Sequence, residues 1–232
     1  MIANVIAIAD NKISRDAAQR LIASSEKVEN DFTVSTFEAI VPDTVDRVMK
    51  ENALTWNYPW VGEEYDIKSG LKKTAYKTAD PKRRIACFLS HYLLWKQCAE
   101  SEESALIFEH DALFISKVDL DILDKSKYNI VGLNNPFGAT RRANLFHQHM
   151  RARGKGVIVC PKVDLDHVPQ GIAGNSAYYM KPEGAKKMLA LVAEYGAWPN
   201  DAIMCRQLLG GKLGVLNPHC TKVQGLSSTT TL

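Results

Sequence analysis

Ala105-Leu106-Ile107-Phe108-Glu109-His110-Asp111 reads as a buried strand that stops abruptly on three ionisable residues. An unbroken apolar run of this length suits a strand covered on both faces, as in a sheet sandwiched between helices. Open α/β sheets place their ligands at the carboxyl ends of such strands. Glu109 and Asp111, one residue apart, can both reach a hard divalent cation through oxygen. His110 adds a nitrogen, but a single imidazole between two acids suits Mg²⁺ or Mn²⁺ better than Zn²⁺. The competing reading of the tripeptide is an ordinary polar boundary between strand and loop.

Upstream, Val5-Ile6-Ala7-Ile8-Ala9 is a second short apolar run and reads as a buried parallel strand. Ser14 is a candidate cap for a helix with Ala17, Ala18, Leu21 and Ile22 on one face. Residues 31–37 alternate as a strand, with Phe32, Val34 and Thr36 on one side, and residues 42–54 read as another helix. This β-α-β-α opening predicts right-handed crossovers. Residues 55–79 show no clean period and read as an ordered surface excursion. Asp80-Pro81 then supplies a cap and a first-turn proline. The helix they open carries Ile85, Phe88, Leu89, Tyr92, Trp95 and Ala99 along one stripe.

Downstream, the pattern predicts strands over 128–133 and 174–180, with a basic loop over 134–156 between them. A helix from Lys181-Pro182-Glu183 presents Ala185, Met188, Leu189 and Val192, and a last short helix covers 200–209. The fold class expected is α/β, a mostly parallel central sheet with flanking helices. Residues 1–226 read as one domain and 227–232 as a flexible tail.

The chain's 232 residues are 46% hydrophobic and 24% charged, which excludes disordered and fibrous classes. A net charge of +3 does not announce a nucleic-acid binder. The charge is nevertheless segregated. Residues 100–124 hold eight acids against one Lys; residues 68–84 hold seven bases against one Asp, and 141–155 five against none. A cation site between basic segments suits a diphosphate leaving group, although solvated loops are the commoner fate of a charge run. Basic loops with Tyr58, Trp60 and Tyr76 nearby leave room for nucleic-acid binding, but no RNA- or DNA-binding motif supports it. Five Cys, with no C-x-x-C, favour a reducing compartment. No apolar run approaches the ~20 residues that span a bilayer, and no signal peptide is evident, so a cytoplasmic location is expected. His147, His149, Cys160 and His167 match no standard zinc spacing. Nucleotide loops of the G-x-G-x-x-G and P-loop kinds are missing, as is a G-x-S-x-G elbow.

Two motifs together resemble glycosyltransferase family 25: Cys87-Phe88-Leu89-Ser90-His91-Tyr92-Leu93-Leu94-Trp95, and the 105–112 strand ending in Glu109-His110-Asp111-Ala112. Gly171-Ile172-Ala173-Gly174-Asn175-Ser176-Ala177-Tyr178 is similar to the family's Gly-Thr-Ala-Gly-Tyr segment, and Pro199-Asn200-Asp201 to its Pro-x-Asp. The resemblance implies a GT-A-like fold that binds a nucleotide sugar, usually UDP-galactose, with Mn²⁺ or Mg²⁺ and inversion at the anomeric carbon. It implies that Glu109 and Asp111 hold the metal and diphosphate. Asp201 becomes the candidate general base acting on a glycan acceptor, with a helix-capping acid as its alternative. Ser90, His91, Gly174 and Asn175 fall near the substrate. Two departures stand out: His110 replaces a middle Asp, and Asn175 replaces a Tyr. A relative that binds nucleotides or glycans without turnover is the alternative they motivate.

Overall fold

In the computed structural model, which describes residues 1–137, 142–227 and 229–230, the run at 105–108 lies inside a seven-stranded sheet. β1 (Ile2–Ala7) leads into α1 (Lys12–Lys27), and β2 (Ser35–Glu38) precedes a 3₁₀ turn at Pro42–Thr44 and α2 (Val45–Glu51). A small hairpin of β3 (Glu63–Tyr65) and β4 (Lys72–Thr74) follows, then α3 (Pro81–Ser101), β5 (Ala105–Glu109) and β6 (Ala112–Phe114). Next come α4 (Leu120–Asp124), β7 (Ile130–Gly132), α5 (Ala143–Arg151) and β8 (Gly156–Val159). Last are β9 (Ala177–Met180), α6 (Pro182–Tyr195), α7 (Asn200–Ile203), β10 (Leu213–Asn217) and β11 (Thr221–Val223).

The sheet order is β2-β1-β5-β9-β7-β10-β8. β2, β1, β5, β7 and β10 share one direction, while β9 runs against both neighbours and β8 against β10. The sheet is therefore mostly parallel, with one reversed strand at its centre and one at its edge. Register matters here: Phe108 pairs with Ala177, and Gly132 with Tyr178. The loop leading into β9 thus arrives at the same edge as the loop leaving β5.

Side chains alternate across the pleat. Ala105, Ile107, Tyr178 and Met180 join a core with Phe88, Leu89 and Trp95 of α3 and Ala185 and Met188 of α6. Leu106, Phe108, Ala177 and Tyr179 join the other, with Ala18 and Leu21 of α1 and Leu123 of α4. The sheet is covered on both faces, as its apolar strands require. Asp80 caps α3 by accepting from the Lys82 amide at 2.9 Å, and Pro81 sits where its missing N–H costs nothing. Ala86, Ser90, His91, Leu94 and Cys98 are buried beyond the expected stripe, because α3 is covered by α6 as well as by the sheet.

Several local expectations change. Asn11 caps α1, accepting from the Ser14 amide, while Ser14 Oγ accepts from the Ile8 amide at 2.9 Å. The second strand begins at Ser35, and Thr36 is exposed because β2 is a sheet edge. The helix expected over 42–54 opens as a 3₁₀ turn and stops at Glu51; the one expected over 200–209 stops at Ile203, where Cys205 bridges to Gly171. The basic segment contains α5, because Ala143, Phe146 and Met150 form a short buried helical stripe among the charges, and it runs into β8 at Gly156. Arg141 of that segment lies outside the described residues, as do 228 and 231–232 of the tail. All five Cys are free thiols, and no helix of the described residues is long and apolar enough to cross a membrane.

Candidate active site

Glu109 closes β5, and its amide donates to the Ser176 carbonyl at 2.8 Å, tying the strand end to the loop before β9. Its Oε2 accepts from Ser176 Oγ at 3.4 Å, and its Oε1 lies 3.3 Å from His91 Nε2. The other ring nitrogen of His91 is 2.8 Å from the Tyr178 hydroxyl, which also takes the Trp95 indole N–H at 2.8 Å. Indole can only donate, so the Tyr178 proton is free to go to His91 Nδ1. The ionised Glu109 carboxylate can only accept, so the contact at Nε2 is one in which His91 donates. Burial pushes the Glu109 carboxyl up, but the His91 hydrogen bond, the neighbouring imidazoles and the Ser176 hydroxyl outweigh it and hold Glu109 below its usual range.

Asp111 behaves oppositely. Burial, then the charge of Glu109, pushes its carboxyl up to about 7. Its Oδ1 is buried and has no hydrogen-bond partner among the described residues. Burial also lowers His110, against the pull of Glu109. A buried acid with an orphaned oxygen beside a second carboxylate is a place that accepts a proton or a cation. The oxygen donors of Glu109 and Asp111 fit a hard divalent ion such as Mg²⁺ or Mn²⁺. Ligand atoms of Cys87, His91 and Glu109 also lie within 4.8 Å of one another. Both His91 nitrogens are engaged in hydrogen bonds, however, which leaves the two carboxylates as the better donor pair.

Asp201 approaches from α7. Burial raises its carboxyl; Arg84 opposes this, Glu109 adds to it, and a hydrogen bond from Tyr76 lowers it, the net shift being upward. The Arg84 guanidinium lies 4.8 Å from the Tyr76 ring centroid. An acid in the first turn of a helix is favourable in itself, but that does not account for Asp201 Oδ1, which is buried without a partner among the described residues. The loop of Gly171 to Ser176 closes the opposite wall. A Cβ on Gly171 would sit 2.8 Å from the Asp201 carbonyl oxygen and 2.9 Å from that of Met204, so only glycine lets the loop pack on α7. Gly174 adopts φ +79°, and beyond it Asn175 buries both amide atoms, Oδ1 and Nδ2, with no partner among the described residues. A cleft of about 180 Å³ lies between these walls, lined by Tyr76, Phe146, Gln170, Gly174, Asn175 and Asp201 among others.

The fold gathers Glu109, Asp111, Gly174, Asn175 and Asp201 at one sheet edge and places His91 directly behind Glu109. It does not bring Ser90 there. Ser90 is 1% exposed, donates to the Ala86 carbonyl and accepts from the Ile40 amide, both at 2.9 Å. The basic runs also reach the site less than their sequence positions imply. Lys72 pairs with Glu63, Lys73 with Glu64 and Lys82 with Asp46, whereas Arg142 pairs with Asp164 of the cleft lining and the charge of Arg84 bears on Asp201. Tyr76, Ser176, Tyr178 and Gln170 are site residues that sequence reading did not single out for it. Gln170 organises one wall, its Oε1 accepting from the Val163 and Asp164 amides and its Nε2 donating to the Asp164 and Leu165 carbonyls. A buried Gln in a loop without periodicity gives no signal in sequence.

Residues 12–204 match the profile of glycosyltransferase family 25, described as LPS biosynthesis protein. Among curated protein sequences none matches the chain. Similar solved structures include the galactosyltransferase LgtC in complex with donor and acceptor sugar analogs, at 11% identity, covering 93% of this chain and 73% of that one, with a TM-score of 0.43. Another is the apo form of mouse xyloside xylosyltransferase 1, at 9% identity, covering 93% and 84%, with a TM-score of 0.46. The profile match begins in α1 and ends just past α7, so every residue lining the cleft falls inside it, and on that extent the chain belongs to glycosyltransferase family 25.

Proposed function

We propose that this glycosyltransferase moves a hexose, galactose from UDP-galactose or a near relative, to a hydroxyl of a glycan acceptor of the lipopolysaccharide kind, with inversion. One observation carries the reading: Asp111 Oδ1, Asp201 Oδ1 and both amide atoms of Asn175 are buried at one sheet edge without partners among the described residues. Buried polar atoms are rarely left unpaired in a finished structure, and this set of acceptors with one donor suits a polyhydroxylated ring. Mn²⁺ or Mg²⁺ held by Glu109 and Asp111 would neutralise charge on the diphosphate.

Asp201 takes the proton of the acceptor hydroxyl as that oxygen bonds to the anomeric carbon. The bond from that carbon to the diphosphate oxygen breaks, and its electron pair leaves with the nucleoside diphosphate. A carboxyl raised by burial is a stronger base than one in water, and the Tyr76 hydrogen bond holds it in place. Asn175 reads ring hydroxyls through one donor and one acceptor. A panel of nucleotide sugars, assayed for Mn²⁺-dependent UDP release, tests this. Asp201→Asn should lose about 10²–10⁴-fold in rate with its fold intact, and Asp111→Ala should abolish the metal dependence. Full activity in either variant removes the assignment of that residue. His110, standing where relatives carry an acid, favours a second reading as a binder without turnover; UDP binding with no release from any donor would select it.

A further inference from the structure

The Glu109–Asp111 turn is held from outside the profile match. Beyond β11, the Gln224 amide donates to the Asp111 carbonyl at 2.7 Å. Its side-chain Nε2 faces three more carbonyls: His110 at 3.2 Å, Ala112 at 2.9 Å and Ala17 of α1 at 2.9 Å. Arg20 Nε donates to Gln224 Oε1 at 2.7 Å. Arginine can only donate, so the atom it meets must be the oxygen, and the amide orientation follows without ambiguity. Pairing of Val223 with Ala112 sets Gln224 opposite the turn.

We propose that Gln224 is a positioning residue of the active site, fixing the turn that carries Asp111 so that its carboxyl stays beside Glu109. The consecutive carbonyls of His110, Asp111 and Ala112 all face N–H donors of this one residue, the two hydrogens of Nε2 being shared with the Ala17 carbonyl. The backbone on both sides of Asp111 is therefore pinned, and only side-chain rotation remains free. Arg20 holds the carboxamide in the one orientation that presents its donors to the turn. This rests on the reading of Glu109 and Asp111 as cation ligands.

The test measures Mn²⁺ binding from the EPR signal of the free ion, with no sugar donor present, in Gln224→Met, Gln224→Glu and Lys222→Ala. Met keeps the length of the side chain and Glu its shape, but neither can donate to the carbonyls. Both should bind Mn²⁺ at least about tenfold more weakly, which corresponds to about 1.4 kcal/mol, and saturating Mn²⁺ should restore most of the transferase rate. Lys222, exposed on the same strand, should be neutral when truncated. Wild-type affinity in both Gln224 variants, or an equal loss in Lys222→Ala, overturns the proposal. If the wild-type protein binds no Mn²⁺ with or without UDP, the ligand reading fails instead. Gln224 is then judged by amide exchange over residues 109–114, expected to speed up about tenfold in Gln224→Met; unchanged protection there overturns it.

Discussion

Two clusters of charge are withdrawn from solvent, one under the β3–β4 hairpin and one at the sheet edge. Under the hairpin every group is matched. Lys73 Nζ lies 2.7 Å from Glu64 and 3.6 Å from Asp66, donates to the Asn57 carbonyl at 3.0 Å and sits 5.2 Å from the Trp198 ring. Asp66 accepts from the Ser69 amide and hydroxyl, both at 2.8 Å. Burial pushes Asp66 up, but these bonds and Lys73 hold it below its usual range. At the sheet edge Asp111 and Asp201 are both raised, and each keeps an oxygen with no partner among the described residues. The same residue type shifts in opposite directions in the two places. A matched buried charge is complete as structure; an unmatched one has hydrogen-bonding capacity left for a ligand or for solvent.

The hairpin cluster should break hardest. Lys73→Met leaves Asp66 buried without its cation and should cost about 3 kcal/mol in urea unfolding, while donor binding at low temperature persists. A loss as small as that of an ordinary surface substitution would erase the contrast. The sheet edge should respond the other way. Asp111 has a carboxyl near 7 in the fold against an ordinary 3.8, so between those values the native state binds more protons than the unfolded chain. Stability from this group therefore falls as pH rises from about 4 to about 7 and stays reduced above. In metal-free protein Asp111→Asn should then stabilise by on the order of 2 kcal/mol at about pH 8, and by nothing near pH 4. An equal effect at both pH values means that Asp111 is not an unmatched acid. The smallest effects sharpen the distinction further. Ser90→Ala should lose about 1 kcal/mol of stability with the donor KM unchanged. Asn175→Ala should leave the melting temperature in place while sugar affinity drops about tenfold; a reversal of that pattern would exchange the roles of the two residues.

Much of the frame was legible because local rules carry it. The apolar runs at Val5 and Ala105, and the Asp80-Pro81 start of α3, depend on neighbours along the chain, and the fold follows them. Glu109 and Asp111 were legible for the same reason, as charges at the end of a buried strand. What local pattern cannot show is which strands run backwards, since reversal of β9 depends on pairing with β5 and β7. Nor can it show which polar residues are satisfied. Ser90 and His91 are adjacent in sequence, yet one bonds to backbone of α3 and of the loop after β2 while the other faces Glu109. The basic runs misled for a related reason: a charge's partner is set by tertiary contact, and the acids of the hairpin and α2 take up Lys72, Lys73 and Lys82.

The reversed β9 has a consequence for how such an enzyme changes its substrate. Ladder register fixes Tyr178 against Ile107 and Gly132, and with it the support behind Glu109. The residues before β9, among them Gly174 and Asn175, hang from that ladder without belonging to it. Insertions or exchanges between β8 and β9 can therefore remodel this wall of the cleft and leave the carboxylate pair where it is. The carboxylate pair and the wall facing it can change independently.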